Sequence, residues 1–372
     1  MARYFSFRIR IKHNFMEGKT FDLRIKNKKA ETKDSCSLVF EVPADAKDQF
    51  AYQSGQFISL VFNINGKEEV RSYSLSSAPF ETDLQVSVKR VKNGVVSNHI
   101  MDQVQIGDTV QVVPVDGQFV LNPVSHNKDT LFFVAAGSGI TPVLSMIKHA
   151  LEEQSMSTLV LMYGNKNKES AMFDKTLEAL EQKYKGQLFV YHTYSKGGGL
   201  FGKFKKNPWT SDNKVSTGRI DAAKIQSVLN IHPKTAASQV YLCGPEGLID
   251  TSMKAFESSG FTSKQMHKEL FFVSQDASKG MASSVTVVQD GEETTISTKA
   301  GENILDAMIK AGLDAPYSCR AGACSSCVAK LETGSVYMKE HSALDKEEVD
   351  QGYILCCQAQ ATSESLRIDF NQ

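Results

Sequence analysis

The sequence has little of the features that mark fibrous, disordered or membrane-spanning chains. It contains one tryptophan and nine prolines among 372 residues, with 23% charged and 41% hydrophobic side chains. No apolar run approaches the roughly 20 residues that a membrane-spanning helix requires, and proline and glycine are too few for a fibrous or disordered chain. The composition therefore excludes those classes and predicts a globular chain long enough for two or three domains.

A secretory signal is also missing from the start of the sequence. The first residues, MARYFSFRIRIKHNF, alternate apolar with polar or basic side chains and lack an uninterrupted apolar core. We expect an extra strand or an N-terminal arm there, and a cytoplasmic location for the protein. Thiols stay free in the reducing cytoplasm, so the seven cysteines are interpreted first as ligands or catalytic groups.

Net charge is absent overall but is unevenly divided along the chain. Residues 283–372 carry 14 acidic against 7 basic side chains, a net charge of about −7, and the remainder carries about +7. This division argues against nucleic-acid binding by the whole protein. It favours an acidic module that docks on a basic surface of its neighbour or of a partner, and the alternative is a solvated acidic face.

Residues 21–272 contain two different patterns of secondary structure. Residues 21–125 show short alternating strands such as FISLVF and LQVSVKRV, with one helix near SNHIMDQV, and they predict an antiparallel β-barrel or sandwich. Residues 126–272 alternate strands such as TLFFVAA and TLVLMYG with helices such as SAMFDKTLEALEQKY. That alternation predicts a parallel sheet covered by helices, an α/β domain.

The remaining residues are predicted to form a linker and a smaller domain. Residues 273–283, VSQDASKGMAS, are small and polar and predict the linker, and residues 284–372 form the C-terminal domain. Two alternating strands meet at Asp290-Gly291, a dipeptide typical of hairpin turns. The next segment, NILDAMIKAG, predicts a helix that ends at Gly312. One face of that helix carries Ile304, Leu305, Met308 and Ile309.

Three of the cysteines lie close together in YSCRAGACSSC. Cys319, Cys324 and Cys327 stand as C-x4-C-x2-C, and 29 residues separate the last of them from Cys357. This is the plant-type spacing of a [2Fe-2S] cluster, in which two tetrahedral irons share two sulfides and need four protein thiolates. The small residues between the cysteines let the backbone approach the sulfurs and donate hydrogen bonds to them.

Two alternatives remain open at the cysteine site from spacing alone. A structural zinc site is one, although such sites normally have a second short pair of ligands that this sequence lacks. The identity of the fourth ligand is the other, because Cys356 and Cys357 are adjacent. Neighbouring side chains of an extended segment point to opposite faces, so only one of the two thiols can ligate readily.

Two stretches of the predicted barrel have residue types suited to a bound nucleotide. In RSYSLSSAP, Arg71 can pair with a pyrophosphate, Tyr73 offers a flat ring, and Ser74 offers a short hydroxyl. In KRVKNGVVSNHI, Gly94 and Ser97 lie directly ahead of a predicted short helix, whose free N–H groups can bind an anion. Either stretch alone also suits an ordinary surface strand or turn.

Two stretches of the predicted α/β domain suit a second nucleotide. TLFFVAAGSGITPVLSMI places Gly137 and Gly139 between a buried strand and a helix, where they permit a tight turn near a pyrophosphate. Pro142 suits the first position of that helix. QVYLCGPEGLID ends a second strand at Cys243, which alone is equally typical of a small buried core residue.

In this order, RSYS, GSGITP and CGP resemble the ferredoxin–NADP reductase superfamily, and residues 284–370 resemble a plant-type ferredoxin. The resemblance implies an antiparallel β-barrel FAD domain, an α/β NAD(P)-binding domain and an α+β ferredoxin-like (β-grasp) domain. Aligning GYILCC with the ferredoxin pattern GYxLTC implies that Cys357 is the fourth ligand. Cys356 is then a neighbour of the cluster. The implied metal ligands are Cys319, Cys324, Cys327 and Cys357.

The resemblance also implies the other site residues. Glu269, in HKELFFV, would approach Ser74 and Cys243 at the flavin N5 atom, and Phe271 would cover the flavin face. The implied catalytic residues are Tyr73, Ser74, Cys243 and Glu269. The implied cofactor-binding residues are Arg71, Ser72, Tyr73, Ser74, Gly94, Val95, Val96, Ser97, Gly137, Ser138, Gly139, Thr141, Pro142, Ser195, Lys196, Gly244, Pro245 and Phe271.

Ser195 and Lys196 stand where NADPH-using relatives carry Ser-Arg for the 2′-phosphate. Lysine keeps the charge of arginine but not its bidentate fork. Lys203, Lys205 and Lys206 add positive charge in a nearby loop, and we expect NADPH rather than NADH.

The implied function is a relay in which electrons pass from NAD(P)H through FAD and the cluster to a partner protein. The expected partner is an oxygenase, most simply a di-iron enzyme that acts on an aromatic acyl-CoA. Two alternatives are a reductase for another metalloprotein, such as hybrid-cluster protein, and a non-catalytic redox carrier. Intact GSGITP and CGP motifs argue against the carrier. No nucleic acid and no membrane span are expected.

Overall fold

Three sheets, each built from its own part of the sequence, organise the fold. In the described part of the chain they have six, six and five strands, and a two-stranded ribbon accompanies the third. No helix in that part of the chain is both long and apolar enough to cross a membrane. The computed structural model describes residues 20–121, 128–153, 156–196, 208–274 and 278–371.

The first sheet is an antiparallel barrel, as predicted. Its strands are β1 (Phe21–Thr32), β2 (Ser35–Glu41), β3 (Phe57–Ile64), β4 (Lys67–Ser74), β5 (Leu84–Lys89) and β6 (Thr109–Asp116). They lie in the order β4-β3-β6-β1-β2-β5. Alternate side chains such as Leu23, Ile25 and Leu60 fill one apolar core, because successive residues of a strand face opposite sides. A bridge between Leu75 and Val86 connects the edge strands and closes the barrel.

The helix predicted in this region is confirmed as α1 (Val95–Asp102), which begins directly after Gly94. Two elements were not among those predicted. One is β1, and the other is a 3₁₀ helix at Ala44–Phe50 that packs Ala46 and Phe50 into the barrel core.

The second sheet is parallel throughout, and it confirms the predicted α/β domain. Its strands are β7 (Thr130–Ala136), β8 (Thr158–Asn165), β9 (Leu188–Tyr194), β10 (Val215–Thr217), β11 (Gln239–Cys243) and β12 (Met266–Glu269), in the order β10-β9-β8-β7-β11-β12. Its helices are α2 (Ile140–Glu153), α3 (Asp174–Lys183), α4 (Ala222–Ile231) and α5 (Glu246–Ser258). The helices α2 and α3 cover one face of the sheet, and α4 and α5 cover the other. All the strands point the same way, so the loops after them gather at one edge, where ligands of such sheets bind.

One detail of α2 differs from the prediction. Pro142 is the third residue of this helix rather than the first, because the helix begins at Ile140 after a 3₁₀ turn at Gly137–Gly139. Proline is still tolerated there, since the first four N–H groups of a helix have no partner within it.

The third sheet is mixed and gives the predicted α+β, β-grasp arrangement. Its strands are β13 (Ser283–Gln289), β14 (Glu292–Thr298), β15 (Val328–Thr333), β17 (Tyr353–Leu355) and β19 (Ser365–Asp369), in the order β14-β13-β19-β15-β17. The accompanying ribbon and helices are β16 (Val336–Met338), β18 (Ala359–Ala361), α6 (Ile304–Lys310) and α7 (Lys346–Asp350). The strand β13 pairs antiparallel with β14 and parallel with β19. This first pair is the predicted hairpin, whose turn residues Asp290 and Gly291 have φ of 53° and 81°.

Three of the four residues predicted to share one face of α6 are buried. Ile304, Leu305 and Met308 are fully buried, whereas Ile309 is 38% exposed. Residue 309 lies one step further around the helix, and Ala307 occupies the buried face instead. Gly312 follows the helix end with φ of 80°, as predicted.

The predicted domain boundaries stay a prediction. The last residue of the predicted linker, Ser283, is the first residue of β13. Residues 275–277 of that linker lie outside the described residues, as do the loop lysines Lys203, Lys205 and Lys206.

Candidate functional site

The RSYS motif forms the last four residues of β4, where side chains alternate between the two faces of the barrel wall. Tyr73 packs against the barrel core, and burial raises the pKa of its hydroxyl well above the ordinary value. The Arg71 Nη2 atom lies 3.0 Å from Glu69 Oε2, and 35% of the Arg71 side chain is exposed. Ser74 points to the opposite face, toward the second sheet. The structure thus leaves Arg71 accessible to a phosphate, and its pyrophosphate role stays a prediction.

Gly94 and Ser97 shape the entry to α1. A Cβ atom at Gly94 would lie 2.6 Å from Ser97 Oγ and 2.9 Å from Val91 Cβ, so this turn requires glycine. The Ser97 hydroxyl accepts a hydrogen bond from the Val91 N–H at 3.1 Å and holds the loop in place. Val95 is 47% exposed and Val96 is buried. The first N–H groups of α1 have no partner within the helix and suit a phosphate, as predicted for this segment.

The GSG turn before α2 packs directly against the end of β11. Gly137 has a φ of 57°, and a Cβ atom at Gly139 would lie 2.1 Å from the carbonyl oxygen of Cys243. The Thr141 hydroxyl donates to the carbonyl oxygen of Ser138 at 3.0 Å and fixes the turn. Only glycine allows this approach, so the predicted phosphate loop and the predicted catalytic cysteine are neighbours.

Gly244 and Pro245 connect β11 to α5. A Cβ atom at Gly244 would lie 3.3 Å from the backbone nitrogen of Ala136, at the end of β7. Pro245 is the residue at which α5 is capped, with extended backbone angles. The CGP segment therefore lies beside the GSG turn at the carboxyl edge of the parallel sheet.

The predicted catalytic residues Ser74, Cys243 and Glu269 meet at one point. The Oε2 atom of Glu269 lies 3.5 Å from Ser74 Oγ and 4.0 Å from Cys243 Sγ. Cys243 and Glu269 are opposite each other in the pairing of β11 with β12, and the barrel supplies Ser74. Glu269 is only 6% exposed. Burial raises its pKa to about 8, and the hydrogen bond from Ser74 partly opposes that shift.

Burial therefore keeps Glu269 a neutral carboxylic acid near pH 7. A protonated carboxyl can donate a hydrogen bond, which a carboxylate cannot. Burial also raises the pKa of the Cys243 thiol well above its ordinary value, so this thiol stays protonated. The arrangement can hold a proton beside a reacting ring but does not provide a thiolate nucleophile.

Ser195 and Lys196 lie at the carboxyl edge of the sheet, just after β9. Both are exposed. The Ser195 N–H donates to the Asn165 carbonyl at 2.9 Å, and the Lys196 N–H donates to the Lys166 carbonyl at 2.8 Å. These bonds hold the exposed residues Lys166 and Lys196 side by side at the edge where a nucleotide would bind.

The four predicted ligand cysteines are brought together in two pairs. Cys319 lies beside Cys324, and the hydrogen bond between their thiols is the main reason that the pKa of Cys319 is raised. Cys327 lies beside Cys357, and the hydrogen bond with the Cys357 thiol is the main reason that the pKa of Cys327 is raised. In the described ranges, no group of three or more His, Cys, Asp or Glu side chains is placed to hold a metal ion. Two pairs match a two-iron cluster, in which each iron takes two protein thiolates, better than one tetrahedral zinc ion.

The backbone around these thiols also fits a cluster. The N–H of Cys319 donates to Cys324 Sγ at 3.5 Å, and the N–H of Ala321 donates to Cys319 Sγ at 3.4 Å. Gly322 has a φ of 76°, and a Cβ atom there would lie 2.7 Å from the Glu340 carbonyl oxygen. The loop can take this wrapped shape because it contains glycine at that position.

Cys356 differs from Cys357 in its surroundings. It is fully buried, and burial is the main reason that the pKa of its thiol is raised. Its backbone N–H donates to the Cys327 carbonyl, and its own carbonyl accepts from the Leu305 N–H, both at 3.0 Å. The structure thus pairs Cys327 with Cys357 and supports the predicted choice of ligand, which stays a prediction.

The predicted flavin strand and the predicted cluster loop line one cleft. Phe271 is one of its lining residues and is 42% exposed. The lining residues are Phe57, Ser72, Ser74, Glu269, Leu270, Phe271, Cys319, Ala321 and Ala323. Residues from all three domains therefore line a single site.

Sequence reasoning missed several residues near this site. Lys89, the last residue of β5, donates from Nζ to the Ser170 carbonyl at 3.1 Å and lies close to Gly137. Burial lowers its pKa. Ser59 and Ser318 meet between the barrel and the cluster loop. The sequence offered one signal for Lys89, which begins the segment KRVKNG that also contains Gly94. It offered none for Ser59 and Ser318, because a contact between domains leaves no local pattern.

Three protein families match consecutive parts of the chain. The oxidoreductase FAD-binding domain matches residues 22–120, the oxidoreductase NAD-binding domain matches residues 133–254, and the 2Fe-2S iron-sulfur cluster binding domain matches residues 287–362. These matches confirm the predicted cofactors FAD, NAD(P)H and a [2Fe-2S] cluster. They define the chain as an iron–sulfur flavoprotein oxidoreductase.

Two known proteins are similar to the chain over nearly its whole length. The ferredoxin reductase component of 3-ketosteroid-9-alpha-monooxygenase from Rhodococcus rhodochrous is 36% identical over 91% of this chain and 94% of its own. A 1,2-phenylacetyl-CoA epoxidase component from Escherichia coli (strain K12) is 30% identical over 94% of this chain and 97% of its own. The chain belongs to this family of ferredoxin reductase components, as the motifs predict.

Solved structures show the same fold. Phthalate dioxygenase reductase superposes with a TM-score of 0.62 at 24% identity, covering 95% of this chain and 99% of that chain. An intact type IV self-sufficient cytochrome P450 monooxygenase superposes with a TM-score of 0.64 at 22% identity, covering 94% of this chain and 41% of that chain. The second of these contains the three-domain arrangement as part of a longer chain.

Proposed function

We propose that this chain is the component of an oxygenase system that oxidises NAD(P)H and delivers single electrons to the oxygenase. The observation that carries the proposal is the shared cleft, in which Ser74 of the flavin strand, Glu269 of the parallel sheet and Cys319 of the cluster loop are neighbours. When bound, the three cofactors supply hydride and single-electron transfer, and the protein supplies their orientation and surroundings.

In this proposal Ser74, Cys243 and Glu269 hold the reacting rings and a proton. Their contacts at 3.5 Å and 4.0 Å join the barrel to the end of the parallel sheet, where the two nucleotides would meet. The neutral carboxyl of Glu269 can donate a hydrogen bond, and the adjacent hydroxyl of Ser74 can relay hydrogen bonding to a neighbouring group. Phe271 covers the mouth of the cleft and keeps water away from the rings.

We assign the four cluster thiols to two irons according to their pairing. Cys319 and Cys324 would hold one iron, and Cys327 and Cys357 the other. Support comes from the two close pairs of thiols and from the N–H groups of the loop that donate to sulfur. Such hydrogen bonds help set the reduction potential of a cluster.

We propose NADPH as the preferred nucleotide. Lys196 and Lys166 are exposed and adjacent at the carboxyl edge, and two positive charges there favour a 2′-phosphate. Use of NAD(P)H and the presence of seven free thiols also support the predicted cytoplasmic location.

We propose an oxygenase as the physiological acceptor. The two relatives compared above are named as components of a monooxygenase and of an epoxidase, and each aligns with this chain over nearly its full length. A di-iron phenylacetyl-CoA epoxidase is the first acceptor to test, and a ketosteroid monooxygenase is the second.

An anaerobic titration tests the proposal. The purified holoprotein is titrated with NADPH and, in parallel, with NADH, while the flavin and cluster absorbance bands are followed separately. We expect flavin bleaching followed by cluster reduction, at lower concentrations of NADPH than of NADH. A non-catalytic carrier would show no flavin bleaching with either nucleotide. Chemical reduction with dithionite is the control, because it reduces both centres without using the nucleotide site.

A further inference from the structure

The outer face of the flavin barrel is hydrogen-bonded to the cluster loop. Ser59 and Ser72 are opposite each other on β3 and β4, and their hydroxyls are 2.8 Å apart. Both contact the hydroxyl of Ser318, at 2.5 Å from Ser59 and 3.0 Å from Ser72. Ser59 is only 1% exposed although it faces away from the barrel core. Ser318 directly precedes Cys319, so this contact joins the flavin strand to the first predicted ligand.

Two ion pairs join the parallel-sheet domain to Lys339 and Glu340 of the ferredoxin domain. Lys268 Nζ lies 2.7 Å from Glu340 Oε2, and Lys339 Nζ lies 2.5 Å from Glu246 Oε1. Ser274 extends the second pair, donating to Glu246 Oε2 at 2.7 Å and accepting from Lys339 Nζ at 2.8 Å. The side chain of Glu340 is only 10% exposed, so its charge is held in a partly desolvated place.

The two ion pairs have opposite polarity. The parallel-sheet domain supplies the lysine of one pair and the glutamate of the other, and the consecutive residues Lys339 and Glu340 receive them. A shift that exchanged the two partners would place Lys339 against Lys268 and Glu340 against Glu246. Like charges in contact are costly, so alternating polarity selects one docked position over its neighbours.

The segment that carries these charges packs on the cluster loop itself. The carbonyl oxygen of Glu340 occupies the space beside Gly322. The Gly322 carbonyl accepts from the Ala343 N–H at 3.0 Å and from the Ser342 hydroxyl at 3.2 Å. Any change in the position of Glu340 is therefore passed to the loop between Cys319 and Cys324.

We propose that the serine contact and the two ion pairs form a docking clamp that positions the cluster against the flavin. The clamp consists of Ser59, Ser72, Ser318, Lys268, Glu340, Glu246 and Lys339. It rests on the proposed function, since its role is to serve electron transfer from flavin to cluster. In that step the reduced flavin loses one electron and the oxidised cluster gains it, and no bond forms or breaks. Each hydride from NAD(P)H supplies two such electrons.

Charge reversal tests the ionic part of the clamp. Lys268→Glu and Glu340→Lys are made singly and together in the full-length holoprotein, with Lys264→Glu as the control. Lys264 is exposed shortly before β12 and is not part of the clamp. The first readout is backbone hydrogen–deuterium exchange of the cluster loop in the oxidised protein without nucleotide. The second is the rate of cluster reduction after flavin reduction in a stopped-flow experiment with NADPH.

Each single reversal should speed exchange of the cluster loop and slow cluster reduction by about tenfold, because an attraction between partly exposed charges becomes a repulsion. The double reversal should recover at least half of the loss on a logarithmic scale. Flavin reduction should not change. The control should match the wild type in both readouts.

Substitution of Ser59 tests the serine contact of the clamp. Ser59→Ala should slow cluster reduction by about fivefold, the effect of losing hydrogen bonds to a neutral partner. The matched control is Ser37→Ala, which removes another buried barrel hydroxyl, bonded to Ser87 at 2.7 Å, on the strand β2 that carries no clamp residue. This arm changes no residue of the ferredoxin domain, so it remains decisive if Glu340→Lys loses its cluster.

The possible results separate the clamp from the proposed function. Single reversals that match Lys264→Glu in both readouts would overturn the clamp, and so would a double reversal no better than the singles. Wild-type protein whose cluster stays oxidised after NADPH has bleached the flavin would contradict the proposed function. In that case the exchange data would still report whether the clamp exists.

Discussion

Replacing Glu269 by glutamine should make the protein more stable, and increasingly so as the pH rises. Glutamine has nearly the shape of a protonated glutamate but cannot ionise. Burial raises the pKa of Glu269 from its ordinary value of 4.5 to about 8. In the unfolded chain this carboxyl ionises above its ordinary pKa, while the native protein keeps its proton until about pH 8. The native state therefore binds more protons in this window, and its stability falls as the pH rises.

The size of the effect follows from the width of that window. Each unit of pKa difference corresponds to about 1.4 kcal/mol. The free energy of unfolding of the wild type should thus fall by about 1.4 kcal/mol per pH unit relative to Glu269→Gln, between pH 4.5 and about 8. At pH 7 the accumulated difference is about 3 kcal/mol relative to acid conditions, and above pH 8 it should stop growing.

Urea unfolding of both holoproteins at several pH values between 5 and 9 measures this difference. The exposed Glu257 on α5 provides a control, since Glu257→Gln also removes one carboxylate. A constant gap between the Glu269→Gln and wild-type curves across this range would refute the reasoning. It would show that Glu269 ionises in the native protein as it does in the unfolded chain, and that it cannot be the neutral donor of the cleft.

Other substitutions test the remaining site residues. Cys357→Ser should abolish the normal [2Fe-2S] absorbance while Cys356→Ser should keep it, and the reverse pattern would reassign the fourth ligand. Arg71→Ala should be purified with much less FAD per chain, because a pyrophosphate partner is lost, and a full complement of FAD would contradict that role. Gly139→Ala places a Cβ atom 2.1 Å from a backbone oxygen of β11. It should destabilise the protein by at least about 2 kcal/mol and weaken NADPH binding, as measured by urea unfolding and by titration; unchanged values would show that the turn can move aside.

Local patterns in the sequence were sufficient to predict the architecture. Alternation at every second residue predicts the barrel strands, and alternation of strands with helices predicts the parallel sheet, because these periods reflect which faces are buried. Errors occurred where a pattern was short. The first position of α2 was assigned wrongly to Pro142, since the short GSGIT segment before it does not show where the helix begins.

The family resemblance also predicted which residues meet in the cleft, although not how they meet. Ser74, Cys243 and Glu269 are far apart in the sequence, and their proximity came from the family resemblance rather than from any local rule. The structure adds the distances of 3.5 Å and 4.0 Å and the burial that keeps Glu269 protonated. Neither quantity depends on residue type alone, because both arise from the packing of three chain segments.

The sequence by itself predicted the cofactors, the order of the domains and three cysteines in cluster spacing, Cys319, Cys324 and Cys327, because these depend on residue types at short separations. The choice of Cys357 as the fourth ligand came from the family resemblance and stays a prediction. Only the tertiary structure decided how the ferredoxin domain faces the flavin barrel. The contacts responsible, such as Ser59 with Ser318, join residues 259 positions apart. Nothing in the local sequence around a strand serine and a loop serine predicts that they will pair, and only folding brings them together.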